Sequence, residues 1–108
     1  QNYVSARFFC NYFKAMESSS EFKTFFNSLP QPGGPGTLKT VLSKVDQSRK
    51  NRLHAKSGSL ANVRCYAGYV QRASGELIHF AILVNNFSAR TAQMQVGIEG
   101  FMNELLNY

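Results

Sequence analysis

Acidic residues are scarce in this 108-residue chain: six Asp and Glu stand against twelve Lys and Arg, a formal charge of +6. Cysteine is almost absent. Cys10 and Cys65 are too few for a structural zinc site, which usually takes four Cys or His ligands. A disulfide between them is allowed but not implied. Their apolar neighbours (Phe8, Phe9 and Tyr12; Val63, Tyr66 and Ala67) favour buried free thiols. No apolar run approaches the roughly 20 residues that span a bilayer. Gln1 to Glu17 lacks the apolar centre of a signal peptide. No initiator Met begins the chain, so we expect it to have been cut or processed from a longer polypeptide.

What is present is a globular composition, 44% hydrophobic and 17% charged, with nine Phe and five Tyr. So many aromatics in water exclude disorder. The length suits one small domain or a piece of a larger one. The basic excess is concentrated in Lys39, Lys44, Arg49, Lys50, Arg52, Lys56, Arg64 and Arg72, with Asp46 the only acid among them. Such a stretch suits nucleic acid, an anionic polymer, an anionic substrate group or a solubilising face.

Periodicity predicts the elements. Val4, Phe8, Tyr12, Ala15 and Met16 define a helix over 3–17, widened by Phe9 and Phe13, with Asn2 or Ser5 as cap. Ser18 to Ser20 ends it, and a short helix over 21–27 follows with Phe22, Phe25 and Phe26 on its apolar side. Leu29 to Gly36 is a loop by its Pro and Gly content, and Thr37 caps a brief helix over Leu38 to Val45. Strands are expected over 52–57, 63–71 and 76–85, the last two joined tightly through Ala73-Ser74-Gly75. The third strand is apolar on both faces, which reads as central, and its His79 reads as a packed or edge-facing group. Ser88 caps a last helix over 89–106, with Met94, Ile98, Phe101, Met102 and Leu105 as its stripe. There is no internal repeat. The fold class is α+β: a three-stranded antiparallel sheet with a C-terminal helix packed on it and helices before it.

The chemistry sits in His54-Ala55-Lys56-Ser57-Gly58-Ser59-Leu60, at the end of the first strand. Lys56 supplies a positive charge. Ser57 and Ser59, two apart, supply hydroxyls on one face. Gly58 leaves the backbone bare, so an extended peptide could pair alongside. A substrate ending in a carboxylate fits such a site. The alternative on these residues alone is a surface lysine followed by a turn.

Lys56-Ser57-Gly58 resembles the Lys-Thr-Gly element of the penicillin-binding proteins and serine β-lactamases. With Ala67-Gly68-Tyr69-Val70, Gly75, Ala81 to Asn85, and upstream Leu29-Pro30 and Gly36-Thr37-Leu38, the run is similar to the low-molecular-mass D-alanyl-D-alanine carboxypeptidase/endopeptidase branch, from about residue 20 onward. The resemblance implies part of a β-lactamase/transpeptidase-like fold: 1–108 as one C-terminal piece, with 1–50 a helical and loop lead-in and 51–108 the sheet and last helix. In the whole fold an N-terminal segment adds to a five-stranded sheet. Without it, a sheet edge stays unpaired and an apolar face is left for a second copy, a homodimer, or for rearrangement to cover.

The resemblance also implies roles. Lys56 serves the catalytic charge network and attracts the substrate carboxylate. Ser57 replaces the usual Thr hydroxyl, and Gly58 keeps the edge open. Ser59 lies at the strand end as a further substrate-binding position, and this strand adds to the oxyanion environment. No metal or organic cofactor is implied. The partners are a peptidoglycan stem peptide ending in D-Ala-D-Ala, β-lactams for the full-length protein, and the missing N-terminal part, with no nucleic acid; the location is periplasmic or extracellular in a bacterium. No nucleophile is expected in this chain. Ser-x-Asn is absent, and the single Ser-x-x-Lys, Ser20 to Lys23, lies too close before Lys56 and is read as chance. The piece is therefore expected to be inactive alone. Competing readings are a basic nucleic-acid-binding module using Tyr66 and Tyr69, or a non-catalytic cell-wall adaptor.

Overall fold

Helical and strand periodicity partition the chain much as expected in a computed structural model, which describes residues 5–60, 63–85 and 91–107, with the side chains at 59, 60, 63, 85 and 91 set aside. Four helices, α1 (Ala6–Met16), α2 (Phe22–Ser28), α3 (Gln47–Lys50) and α4 (Thr91–Leu105), accompany three strands, β1 (Leu53–Leu60), β2 (Val63–Gln71) and β3 (Leu77–Asn85). Ser5 caps α1 by accepting from the Phe8 N–H at 3.1 Å. The proposed caps Asn2 and Ser88 lie outside the described residues. Gly75, at φ +94°, makes the β2–β3 turn and donates its N–H to the Arg72 carbonyl at 2.8 Å.

The sheet is antiparallel in the order β1-β2-β3. Alternation along the strands sends side chains to two cores. On one face α1 and α2 bring Phe9, Phe13, Phe22, Phe25 and Phe26 against Tyr69, Ala67, Leu77 and Ala81. Fully buried Tyr69 anchors this side and donates its hydroxyl to the Phe13 carbonyl at 2.7 Å. That bond contributes about 1 kcal/mol, against roughly 2–3 kcal/mol from burying the ring itself. On the other face Met94, Ile98, Met102 and Leu106 of the C-terminal segment cover Leu53, Ala55, Tyr66, Val70 and Phe80.

Three local expectations are corrected. The segment 38–45 is a run of turns, not a helix. Leu42 stands at φ +56°, a left-handed conformation that costs a residue with a Cβ about 1–2 kcal/mol. The Glu99 carboxylate holds it there by accepting the Leu42 N–H at 2.9 Å. Second, β2 rather than β3 is central among the described residues. Third, Phe101 leaves the apolar stripe, being 47% exposed, and Leu106 takes its place at 2%.

Candidate active site

The site is built on the outer edge of β1. The Ala55 N–H points away from β2 and donates to the Pro30 carbonyl at 2.9 Å, so residues 29–30 run beside the first half of the strand. Backbone groups alternate along an antiparallel strand, so those of Ser57 and Ser59 face outward as well. Beyond Ala55 no strand pairs with this side among the described residues. An extended peptide could therefore add here as a further strand.

Side chains alternate about this edge. His54, Lys56 and Gly58 lie on the α1 face. Lys56 is exposed, and its ammonium donates to the Ser57 carbonyl at 3.3 Å. It borders a cleft of about 550 Å³ whose other walls include Phe9, Phe13, Phe25, Leu29 and Cys65. The cleft is almost wholly apolar, so the charge stands at the rim of a low-dielectric hollow where it acts more strongly than in bulk water. Gly58 pairs opposite Cys65, and a Cβ there would approach the Cys65 sulfur at 3.2 Å. Burial pushes the Cys65 thiol up, against the opposing pull of the Lys56 ammonium. Both cysteines are free, as expected, but half-buried rather than buried.

His54 stacks on Phe26 with ring centroids 4.0 Å apart, and its Nε2 lies 3.3 Å from Gln31 Nε2. Burial holds its pKa below the ordinary histidine value, opposed by a backbone hydrogen bond at Asn51. His79 is a packed group, half-buried on the α1 face with Nδ1 3.5 Å from the carboxylate of Glu17, the C-cap of α1.

Ser57 turns to the opposite face and shares a second cleft with Thr37, Gly58, Arg64 and Tyr66. Lys56, Ser57 and Gly58 are thus brought together at one edge but serve its two sides. Ser59 follows in register opposite Arg64, and its side chain lies outside the described residues. Sequence reasoning missed Thr37, Gln95 and Glu99 around this second cleft, and counted Arg64 only as part of a basic stretch. The one available signal was Gln95 and Glu99 at helical i, i+4 spacing.

Ser20 does not join the site. It sits in the turn before the α2 N-cap Glu21, while Lys23 is inside the helix, so the two do not occupy successive turns of one helix. The basic stretch is largely consumed internally. Arg49 donates to Asn107 Oδ1 and the Asn103 carbonyl, and Arg52 to the Leu106 carbonyl, where cations favourably meet the α4 C-terminus. Lys50 is 8% exposed, and Arg72 pairs with Glu76 at 3.1 Å. Tyr66 and Tyr69 are buried. These groups do not form the exposed cationic and aromatic surface that a nucleic-acid module needs.

Comparison with known proteins gives a consistent result. Residues 1–105 match the D-Ala-D-Ala carboxypeptidase 3 (S13) family, a longer stretch than the motifs alone had marked. No curated protein matches the chain. Penicillin-binding protein 4 from Haemophilus influenzae, complexed with a novel β-lactam, has a similar structure, with a TM-score of 0.84 and 22% identity over 100% of this chain and 27% of that one. A second structure of penicillin-binding protein 4 from the same organism gives 0.81 and 21% over 97% and 25%. The chain spans about a quarter of the length of these structures.

Proposed function

Because the chain belongs to the D-Ala-D-Ala carboxypeptidase 3 (S13) family, we propose that it is the C-terminal portion of a longer serine-type D-Ala-D-Ala carboxypeptidase that acts on peptidoglycan stem peptides and is acylated by β-lactams. The observation that carries this reading is the open half of β1, where Lys56, Ser57 and Gly58 stand together at an edge that is unpaired among the described residues.

In this reading the substrate's C-terminal D-Ala-D-Ala segment lies along that edge. A serine from the rest of the polypeptide attacks the carbonyl carbon of the D-Ala–D-Ala bond. The serine hydroxyl gives up its proton as its oxygen forms the ester, the C–N bond breaks, and the nitrogen of the departing terminal D-Ala takes up a proton in its place. Water then hydrolyses the ester. The outward Ser59 N–H contributes a donor to the developing oxyanion. Lys56 supplies the fixed positive charge at the rim of the cleft, and the Ser57 hydroxyl donates to the substrate carboxylate.

The missing part of the same polypeptide covers the apolar cleft beside Lys56 and pairs with the outer edge of β3. Half-exposed Tyr12 and Phe8 on α1 fit such a covering segment. That arrangement would make β3 central, consistent with its apolar residues on both faces. A periplasmic or extracellular bacterial location follows from a peptidoglycan substrate; no described helix is long and apolar enough to cross a membrane.

A fluorescent penicillin tests the proposal. The full-length protein is expected to be labelled covalently and the 108-residue chain to remain unlabelled. An unreactive full-length protein, or labelling of the chain at Ser20, would contradict it.

A further inference from the structure

His54 is fastened on three sides. Its ring lies against Phe26 of α2, with centroids 4.0 Å apart. Tyr69 is its direct partner across on β2. Its Nε2 stands 3.3 Å from the side-chain amide nitrogen of Gln31. That amide is oriented from elsewhere, because the same nitrogen donates to the Asn51 carbonyl at 2.7 Å. Turning the amide over would set two oxygens against each other. Gln31 therefore presents an N–H to the ring, and Nε2 accepts it. The ring proton is then on Nδ1, which is buried without a hydrogen-bond partner.

A proton on Nε2 reverses this contact. Two donors then face each other, and Nδ1 becomes a charged donor buried without an acceptor. The Asn51 carbonyl favours the charged ring, but Gln31 holds it, so the new N–H gains it only by displacing Gln31. No carboxylate compensates. The titratable and charged groups on the packed elements are Lys56 on the same face of β1, Cys65 and Tyr69 on that face of β2, Lys50 beside Asn51, and Lys23 on α2; none is acidic. The N-cap residues Glu21 and Asp46 lie at the opposite ends of α2 and α3 from Phe26 and Asn51. Phe26 and Gln31 bracket a segment whose Pro30 carbonyl accepts the Ala55 N–H at 2.9 Å and whose Leu29 lines the Lys56 cleft. We infer that His54 is a proton-sensitive latch: neutral, it holds residues 26–31 against the first half of β1, and protonated, it releases them and loosens one wall of the cleft beside Lys56. This goes beyond the proposed reaction, which gives His54 no role. Burial holds the folded His54 pKa below its ordinary 6.5, so the hold is complete above that pH and weakens as pH falls below it. The other histidine, His79, faces Glu17, so its protonation adds a charge pair instead of removing a contact.

The test is hydrogen exchange of the Ala55 amide in the full-length protein, read by NMR and divided by its intrinsic rate at each pH. This amide bonds to the Pro30 carbonyl and not to β2, so it reports release of the segment directly. From about pH 7.5 to about pH 5.5 its opening is expected to rise by up to about tenfold, the limit for a released histidine of ordinary pKa. Amides bonded between β2 and β3 should keep their protection. His54→Gln has no proton to take up and retains an acceptor for Gln31, and His54→Phe retains a ring against Phe26; each should abolish the pH response at Ala55, whatever its effect on stability. An Ala55 amide indifferent to pH in the wild type, a response that persists in either variant, or an equal rise between β2 and β3 would overturn the latch. None of these results depends on which reaction the enzyme performs, so the peptidase reading stands or falls separately.

Discussion

Lys56→Ala in the full-length enzyme is expected to slow acylation by a β-lactam about a thousandfold while leaving the fold intact. The magnitude is that of removing one preorganised charge from a transition state in a water-poor cleft. The two halves of the expectation separate because Lys56 is exposed and, among the described residues, donates only to the carbonyl of its neighbour Ser57. Loss of such a contact changes stability by no more than about 0.5 kcal/mol. Acylation kinetics and a melting curve on the same sample check both. Unchanged acylation would remove Lys56 from the chemistry, and a collapsed melting curve would make it structural.

The opposite signature is expected at Gly68→Ala. A Cβ at this position would stand 2.0 Å from the His54 carbonyl oxygen and 2.6 Å from the Ala55 Cα. Both are backbone atoms of β1, and Gly68 pairs directly with Ala55. No rotamer change relieves such a clash, so β1 must separate from β2. Overpacking a core ordinarily costs about 1–3 kcal/mol, and a backbone collision belongs at or above the top of that range. Because β1 carries Lys56, Ser57 and Gly58, the variant should lose stability and acylation together. Denaturant unfolding of the full-length protein measures the first; a stability equal to wild type would show that the β1–β2 approach is not as close as described.

These two glycines also show what was legible in the sequence. The strands that hold them were readable from their β-branched and aromatic content, and Gly58 was readable as bare backbone at a strand end, whereas the close approach at Gly68 shows only once β1 and β2 are paired. The Lys56-Ser57-Gly58 edge was readable because strand, motif and hairpin are contiguous. What escaped was held by distant partners. Leu42 looks like an ordinary helical residue, and only Glu99, far along the chain, fixes its left-handed backbone. Arg64 looked like one basic residue among many, because its orienting partner Gln95 lies on another element. β3 lies at the edge of the described sheet; its apolar residues on both faces report the layers above and below it, and in the proposed reading its outer neighbour belongs to the rest of the polypeptide.

The central claim is that the outer edge of β1, from Ser57 onward, is where substrate lies. A crystal structure of the full-length protein acylated by a β-lactam measures this directly. The account requires the bound acyl group to run along that edge, its carboxylate within hydrogen-bonding distance of Ser57 and its carbonyl oxygen near the Ser59 N–H. An adduct seated elsewhere, or a β1 edge already occupied by another strand of the protein, would contradict it.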